Sequence, residues 1–375
     1  MSIPDFRLER YFARWEFAAP HLLCTSDVEG LPMAELLALA DPETRELWDR
    51  LTLGYTESAG HPLLRAEIAS LYEGVSPEEV LVFAGAEEAV YVFMRATLGP
   101  GDRVAVTWPG YQSLYEVARS AGAEVDLLPL DPENGWVLDP DLLRATLSPA
   151  TRALVVNFPH NPTGALPDRA AFERVVEVAR EAGVLLFSDE VYRFLEHDPA
   201  DRLPAAVEAY ERGLSLGVMS KSFALAGLRI GWLATHDADL LRRVASYKDY
   251  TTICSSAPSE LLALAALRAR DAVLERSLRI VRGNLALLDP FFARRAGVLE
   301  WVRPRAGSTA FPRFVPETDV DALAAELVET EGVLLLPGSA YDYPGSHFRI
   351  GFGRTDLPAA LERFDRFLSA RFGEA

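Results

Sequence analysis

A lysine held on rigid structure, close to groups that can bind a phosphate and a planar ring, is equipped for imine chemistry. The segment SKSFALAGLRIGW, residues 220–232, has that form. Lys221 follows an apolar run, Gly227 would allow close backbone approach, and Arg229 lies eight residues beyond the lysine. A surface lysine in a strand-to-helix loop would look the same, so the assignment depends on its company.

That company is spread over the chain. NFPHNPTG, residues 157–164, sets Asn161 just after an apolar run, where α/β proteins place ligand-contacting groups; the plainer alternative is a turn. SDEVY, residues 188–192, puts Asp189 and Tyr192 three apart at the end of another such run, against the alternative of a helix-capping Asp. In AGAEEAV, residues 84–90, Gly85 opens an amphipathic helix whose first N–H groups, at Ala86 and Glu87, could receive a phosphate. Glu87 and Glu88 equally suit a helix start with no ligand, and would have to point away from a bound phosphate. WPGYQSLY, residues 108–115, sets Tyr111 where an aromatic face could stack on a planar ring.

These residues need elements to position them. VLVFA (80–84), RVAVT (103–107), RALVVN (152–157), VLLFSD (184–189) and LSLGVM (214–219) read as buried strands. Helical periods at 61–73, 86–98, 111–121 and 168–182 fall between them, and Pro62 suits a first helical turn. The alternation predicts an α/β fold with a mostly parallel sheet flanked by helices. After residue 285 the texture changes to VLEWV (298–302), STAFPRF (308–314) and HFRIGF (347–352), interleaved with helices near 318–330 and 356–372, a smaller α+β domain. A helix at 8–17 and the irregular LLCTSDVEGLP suggest an arm packing on that smaller domain. The expected division is therefore 1–49 for the arm and part of the small domain, 50–285 for the large domain and 286–375 for the small one.

Composition narrows the function. A chain of 375 residues, 49% hydrophobic, supports a large core, and a formal charge of −18 repels nucleic acid and anionic lipid. Cys24 and Cys254 form no CxxC or metal-ligand spacing and read as free thiols of a reducing compartment. With no apolar stretch of transmembrane length and no signal-peptide pattern at the start, the expectation is a cytoplasmic protein without a membrane partner. No GxGxxG follows the first strand, which argues against a nicotinamide dehydrogenase. A non-enzymatic sensor domain would need a DNA-binding module, which the acidic charge does not suit.

Taken together and in this order, the segments resemble the fold-type I pyridoxal-phosphate enzymes, specifically the class I/II aminotransferases, over about Tyr55 to Arg349. The resemblance implies a pyridoxal 5'-phosphate cofactor held as a Schiff base on Lys221. It gives Arg229 to the cofactor phosphate, with Gly85, Ala86 and Glu87 as backbone donors. Asp189 goes to the pyridine nitrogen, Tyr192 and Asn161 to the ring's phenolic oxygen, and Tyr111 stacks on the ring. FRIGFG near the C-terminus identifies Arg349 as the grip on the substrate α-carboxylate, which suits a guanidinium fork. GYTESAGHPLLR implies that Tyr55 reaches the phosphate of a neighbouring subunit in a homodimer, with Ser255 or Ser256 near that phosphate as well. Substrates are then an α-amino acid and a 2-keto acid, and the reaction is amino transfer; a lyase, a decarboxylase or a racemase would use most of the same residues.

Two departures stand out. Where many relatives have a serine three residues before the lysine, this chain has Val218, for which Ser220 or Ser222 would have to compensate. In the arm, Asp27 and Glu29 would suit selection of a cationic side chain, although charged residues are mostly solvated.

Overall fold

The computed structural model describes residues 3–373. Its centre is a seven-stranded sheet. In chain order the strands are β1 (Val80–Phe83), β2 (Arg103–Trp108), β3 (Glu124–Pro129), β4 (Thr151–Asn157), β5 (Leu185–Asp189), β6 (Gly213–Val218) and β7 (Gly231–Ala234). They lie side by side as β1-β7-β6-β5-β4-β2-β3. β7 runs antiparallel to both its neighbours and the other pairs are parallel. Helices on both faces bury β1, β5 and β6 along their whole length, which is why these read as unbroken apolar runs.

Two of these strands escaped the sequence reading as strands. β3 is an edge strand, half exposed along EVDLLP, so it lacks the apolar signature of a buried one. β7 was visible only as an apolar run after Arg229. Parallel neighbours need crossovers, supplied by helices such as Ala86–Thr97 and Arg169–Ala182. The second is capped by the Asp168 carboxylate, which accepts from Ala171 N at 2.7 Å, and ends at Gly183 with φ +65°. The helix expected over 61–73 is shorter, Pro62–Ala69.

Beyond residue 295 short strands replace long ones. Thr309–Ala310 and Leu336–Pro337 flank Phe348–Gly351 in a three-stranded antiparallel sheet. The expected strand 308–314 is split at Pro312, which has no N–H to give a ladder: Arg313–Phe314 turns away to pair with Leu299–Glu300, all that remains of the strand expected over 298–302. Helices Val320–Glu331 and Leu357–Phe372 cover this part. Helix Arg270–Arg294 runs through residue 285, tying the two halves together.

The arm does more than lie on the small sheet. His21–Leu22 pairs in parallel with Val333–Leu334, and Gly351 N donates to Leu23 O at 2.9 Å. The chain then crosses over. Leu36, in helix Met33–Leu39, is buried in a cluster with Ile68, Met219, Trp232 and Leu264 on the large sheet's flank.

Candidate active site

The carboxyl ends of β4, β5 and β6 lie next to one another, with Asn157 in register with Asp189, and Asp189 with Leu216. They form the floor of a cavity of about 390 Å3. Asp189, Tyr192, Asn161 and Lys221 line this floor, and Ala86, Glu87, Tyr111, Ser220, Arg229 and Arg349 line its sides. Residues scattered over 264 positions, from Ala86 to Arg349, thus converge on one space.

The strand ends fix their side chains through short links. Asn157 Nδ2 donates to Asp189 O at 2.8 Å, and Asn157 Oδ1 accepts from Asn161 N at 2.7 Å, so the NPTG turn is tied to both strands. Alternation along the chain sends Asp189 into the cavity and Glu190 to the other side, where it accepts from Ala206 N and Ser215 Oγ. Among the described residues the Asp189 carboxylate accepts only from Val191 N, at 3.2 Å, and burial pushes it up to about 7. Tyr192 is 1% exposed, yet among the described residues its Oη has no hydrogen-bond partner. Burial also raises that phenol to about 12.

Lys221 sits just past β6, enclosed by protein but keeping a face on the cavity. Burial lowers its pKa; Asp27 pulls it back up and Arg349 pushes it further down. Its Nζ donates to Ser26 Oγ at 2.9 Å. Ser26, in the arm, had no signal in the sequence.

The opposite wall prepares an anion site. Gly85, at φ +92°, starts helix Ala86–Thr97, and no side chain caps that helix. Its first N–H groups point where an anion would be welcome. Arg229 packs so closely that a Cβ on Gly85 would lie 2.6 Å from its Nη2. Gly231 allows this approach from behind, since a Cβ there would stand 2.7 Å from Ala86 N. The glycine expected to serve close approach, Gly227, does not: a Cβ would meet nothing within 4 Å. Of the two serines that would make up for Val218, Ser220 lines the cavity and Arg229 Nη1 lies 3.4 Å from its Oγ, whereas Ser222 turns away to donate to Val191 O and Arg193 O. Val218 itself lines the cavity as an apolar side chain. Glu88 points away, accepting from Ala84 N, Thr251 and Thr252, but Glu87 stays on the cavity wall and accepts from Ser113 Oγ at 3.0 Å.

Arg349 comes from the Phe348–Gly351 strand and is 1% exposed. Its Nε donates to Cys24 O at 2.8 Å, its Nη1 to Asn161 Oδ1 at 3.2 Å and to Tyr341 Oη, while Nη2 has no partner among the described residues. Asn161 Oδ1 also accepts from Tyr341 Oη at 3.0 Å, which leaves Nδ2 as the donor Asn161 can offer the cavity. Tyr341, like Ser26, was not singled out by sequence.

Some expected residues stand elsewhere. Tyr55 is 90% exposed and outside the cavity. Ser255 is buried in its own chain, which leaves Ser256 as the exposed one of that pair. Glu29 is turned from the cavity, accepting from Thr355 N at 3.0 Å, so it does not face a substrate there; Asp27 does line the cavity and pairs with Arg354 at 3.0 Å. Both are half-buried rather than solvated.

The donor set suits pyridoxal phosphate on structural grounds. A buried carboxyl that forms no ion pair among the described residues, an orphaned buried phenol and an uncapped helix start beside an arginine match its ring nitrogen, phenolic oxygen and phosphate in turn. Among the described residues no cluster of His, Cys, Asp or Glu could hold a metal ion, and no helix is long and apolar enough to cross a membrane.

Known proteins agree with this reading. A family model described as aminotransferase class I and II matches residues 22–364. Capreomycidine synthase of Streptomyces vinaceus is 36% identical over 96% of this chain and 92% of its own. The aspartate/prephenate aminotransferase of Thermus thermophilus is 33% identical over 84% of this chain and 83% of its own. A crystal structure of a PLP-dependent aminotransferase from Streptococcus suis superposes with a TM-score of 0.93 at 33% identity, covering 100% of both chains.

Proposed function

This chain belongs to the class I and II aminotransferase family and is a pyridoxal-phosphate-dependent aminotransferase; on that premise we propose that Lys221 carries its reaction, an amino transfer between an α-amino acid and a 2-keto acid. The observation that carries this is the convergence of Lys221, Asp189, Tyr192, Asn161, Arg229 and Arg349 on one cavity, with Arg349 Nη2 buried and unpaired.

When bound, pyridoxal phosphate supplies the electron sink that makes the substrate's α-C–H bond acidic. The protein's part is to bind, orient and move protons. The helix start at Gly85, Ala86 and Glu87 would hold the phosphate together with Arg229 and Ser220. Tyr111 would cover one face of the ring, and Tyr192 Oη and Asn161 Nδ2 would donate to its phenolic oxygen. Asp189 would keep a proton on the ring nitrogen; a cation there would bring its own raised pKa back down and leave an ion pair. Arg349 would take the substrate α-carboxylate on Nη2. Lys221, whose pKa burial lowers, would be the point of attachment. Its Nζ would then serve to take up the substrate's α-proton as base and to return a proton as acid.

The relative named a synthase favours a second reading, in which the same residues serve a different pyridoxal-phosphate reaction. A panel of amino acids incubated with the cofactor-loaded enzyme separates the two. Amino transfer converts the bound cofactor to its amine form and releases a keto acid; ammonia or carbon dioxide in its place overturns it.

We also propose a homodimer. Leu53 and Tyr55, 86% and 90% exposed, and Tyr250 and Ile253, 90% and 51% exposed, stand on two segments that meet where Ser58 Oγ donates to Ile253 O. Burying this apolar patch against a second copy would bring Tyr55 toward the partner's phosphate site. The free thiols Cys24 and Cys254 support residence in the reducing cytoplasm, and the charge of −18 supports the absence of a nucleic-acid or membrane partner.

A further inference from the structure

The roles proposed above use every cation that lines the cavity but only one carboxyl. Lys221, Arg229 and Arg349 are committed, and Asp189 answers the ring nitrogen. Four carboxyls remain: Glu9, Glu16, Asp27 and Glu87. Asp27 and Glu16 share the field of Arg354, which pairs with Asp27 at 3.0 Å. Glu9 and Glu87 have no such ion pair, although the charge of Arg229 also reaches Glu87. Glu9 accepts from Tyr111 Oη at 3.0 Å and Glu87 from Ser113 Oγ at 3.0 Å, and among the described residues neither forms an ion pair. Both act on Tyr111, raising its phenol after burial has already done so. Burial first, and then the charge of Glu9, push the Glu87 carboxyl up to about 7. Two neighbouring acids outside any ion pair favour a ligand that brings a cation to them.

A second and independent feature points to what that ligand is. Arg349 is 1% exposed, faces the same cavity and has Nη2 unpaired, which asks for a carboxylate. Its guanidinium carbon lies 5.8 Å from the centre of the Phe12 ring, and Phe12 and Glu9 lie three apart on helix Arg7–Trp15, both lining the cavity. The cavity therefore offers a cation at one place and a pair of acids a short way along the same wall. We propose that the substrate is an α-amino acid whose side chain ends in a cation, a guanidinium or an ammonium, received between Glu9 and Glu87. This rests on the aminotransferase reading for the role of Arg349, and it deepens that reading by fixing the side-chain class.

The test uses carboxylates that lack the α-amine and so bind without reacting. Calorimetry on the cofactor-loaded enzyme compares δ-guanidinovalerate and ε-aminocaproate with caproate and adipate. At least one cationic ligand should bind at least about tenfold more tightly than caproate, the scale of one charge-assisted contact, and adipate should bind most weakly. Glu9→Gln and Glu87→Gln should each reduce the ratio of cationic to neutral affinity by about tenfold. Caproate or adipate binding as tightly as both cationic ligands overturns the proposal, as does a ratio unchanged in both variants. Keto-acid release from arginine and leucine is followed separately. A cationic preference without any keto acid leaves the subsite standing and removes the amino-transfer reading; equal keto-acid release without preference does the reverse.

Discussion

The floor and the roof of the cavity are built on different principles. The floor stands on strand ends of a buried parallel sheet, with Asp189 6% and Tyr192 1% exposed and Asp189 tied to the backbone of Asn161 through Asn157. The roof is helix Arg7–Trp15 and the segment after it, where Glu9 is exposed and Glu16, Ser26 and Asp27 are half-buried. A floor fixed by sheet ladders can hold a ring and a reacting lysine within the narrow tolerance that proton transfer needs. A roof held by a two-residue strand and a few long-range bonds suits contacts that vary with the substrate. The comparison teaches where each kind of substitution should act: floor changes on the chemical step, roof changes on substrate choice and on the lysine's environment.

The harshest test of the floor is Lys221→Ala, which should abolish turnover and the visible absorbance of lysine-bound cofactor. A variant that kept both would remove Lys221 from the chemistry altogether. Asp189→Ala comes next. It should still bind cofactor but lose about 10²–10³ in kcat, because it removes a charge whose effect is felt mainly in the transition state. Near-normal kcat would mean that something other than this carboxyl tunes the ring nitrogen. Arg349→Lys keeps the charge but loses the fork, and should raise KM about ten- to a hundredfold with a smaller change in kcat. A change confined to kcat would place Arg349 with the floor's chemistry rather than with substrate capture.

How much of this was legible in the sequence follows the same division. The floor was readable because its residues stand at the ends of apolar runs, and a residue type at a strand end carries meaning without knowledge of the partner strand. Asn161, Asp189, Tyr192 and Lys221 were found that way, and all four line the cavity. The roof was not readable, because its contacts join distant positions. Ser26 and Lys221 lie 195 residues apart, and Cys24 and Arg349 lie 325 apart. Tyr341 was missed for the same reason: its value comes from meeting Arg349 and Asn161, and nothing in GSAYDY announces it. Gly227 and Gly231 show the limit of reading glycines singly. Only packing against the start of helix Ala86–Thr97 reveals that Gly231 is the one needing no side chain.

Stability against pH offers a gentler probe of the floor. Asp189 rises from 3.8 to about 7 through burial, so the folded protein holds this proton where the unfolded chain releases it. The resulting stability is complete below the unfolded value and is lost as pH rises through the folded one. Asp189→Asn removes that loss. Without cofactor, the Asn variant should melt about 2–4 °C above the parent at pH 8, and the gap should close toward pH 5. With cofactor the order should reverse, since the parent then has a cationic ring nitrogen to pair with and the variant does not.

Ser26→Ala tests whether the roof reaches the chemistry at all. Ser26 Oγ accepts from Lys221 Nζ at 2.9 Å, so it orients the amine and favours its protonated form. Removing one hydroxyl acceptor costs roughly 1 kcal/mol, or about a fivefold effect. Lys221 already has its pKa lowered by burial, and losing Ser26 should lower it further, moving the acid limb of cofactor attachment to a lower pH. The direction matters more than the size. A shift to higher pH, or none, would mean that the arm merely covers the lysine, and the roof's influence would then end at the substrate's side chain.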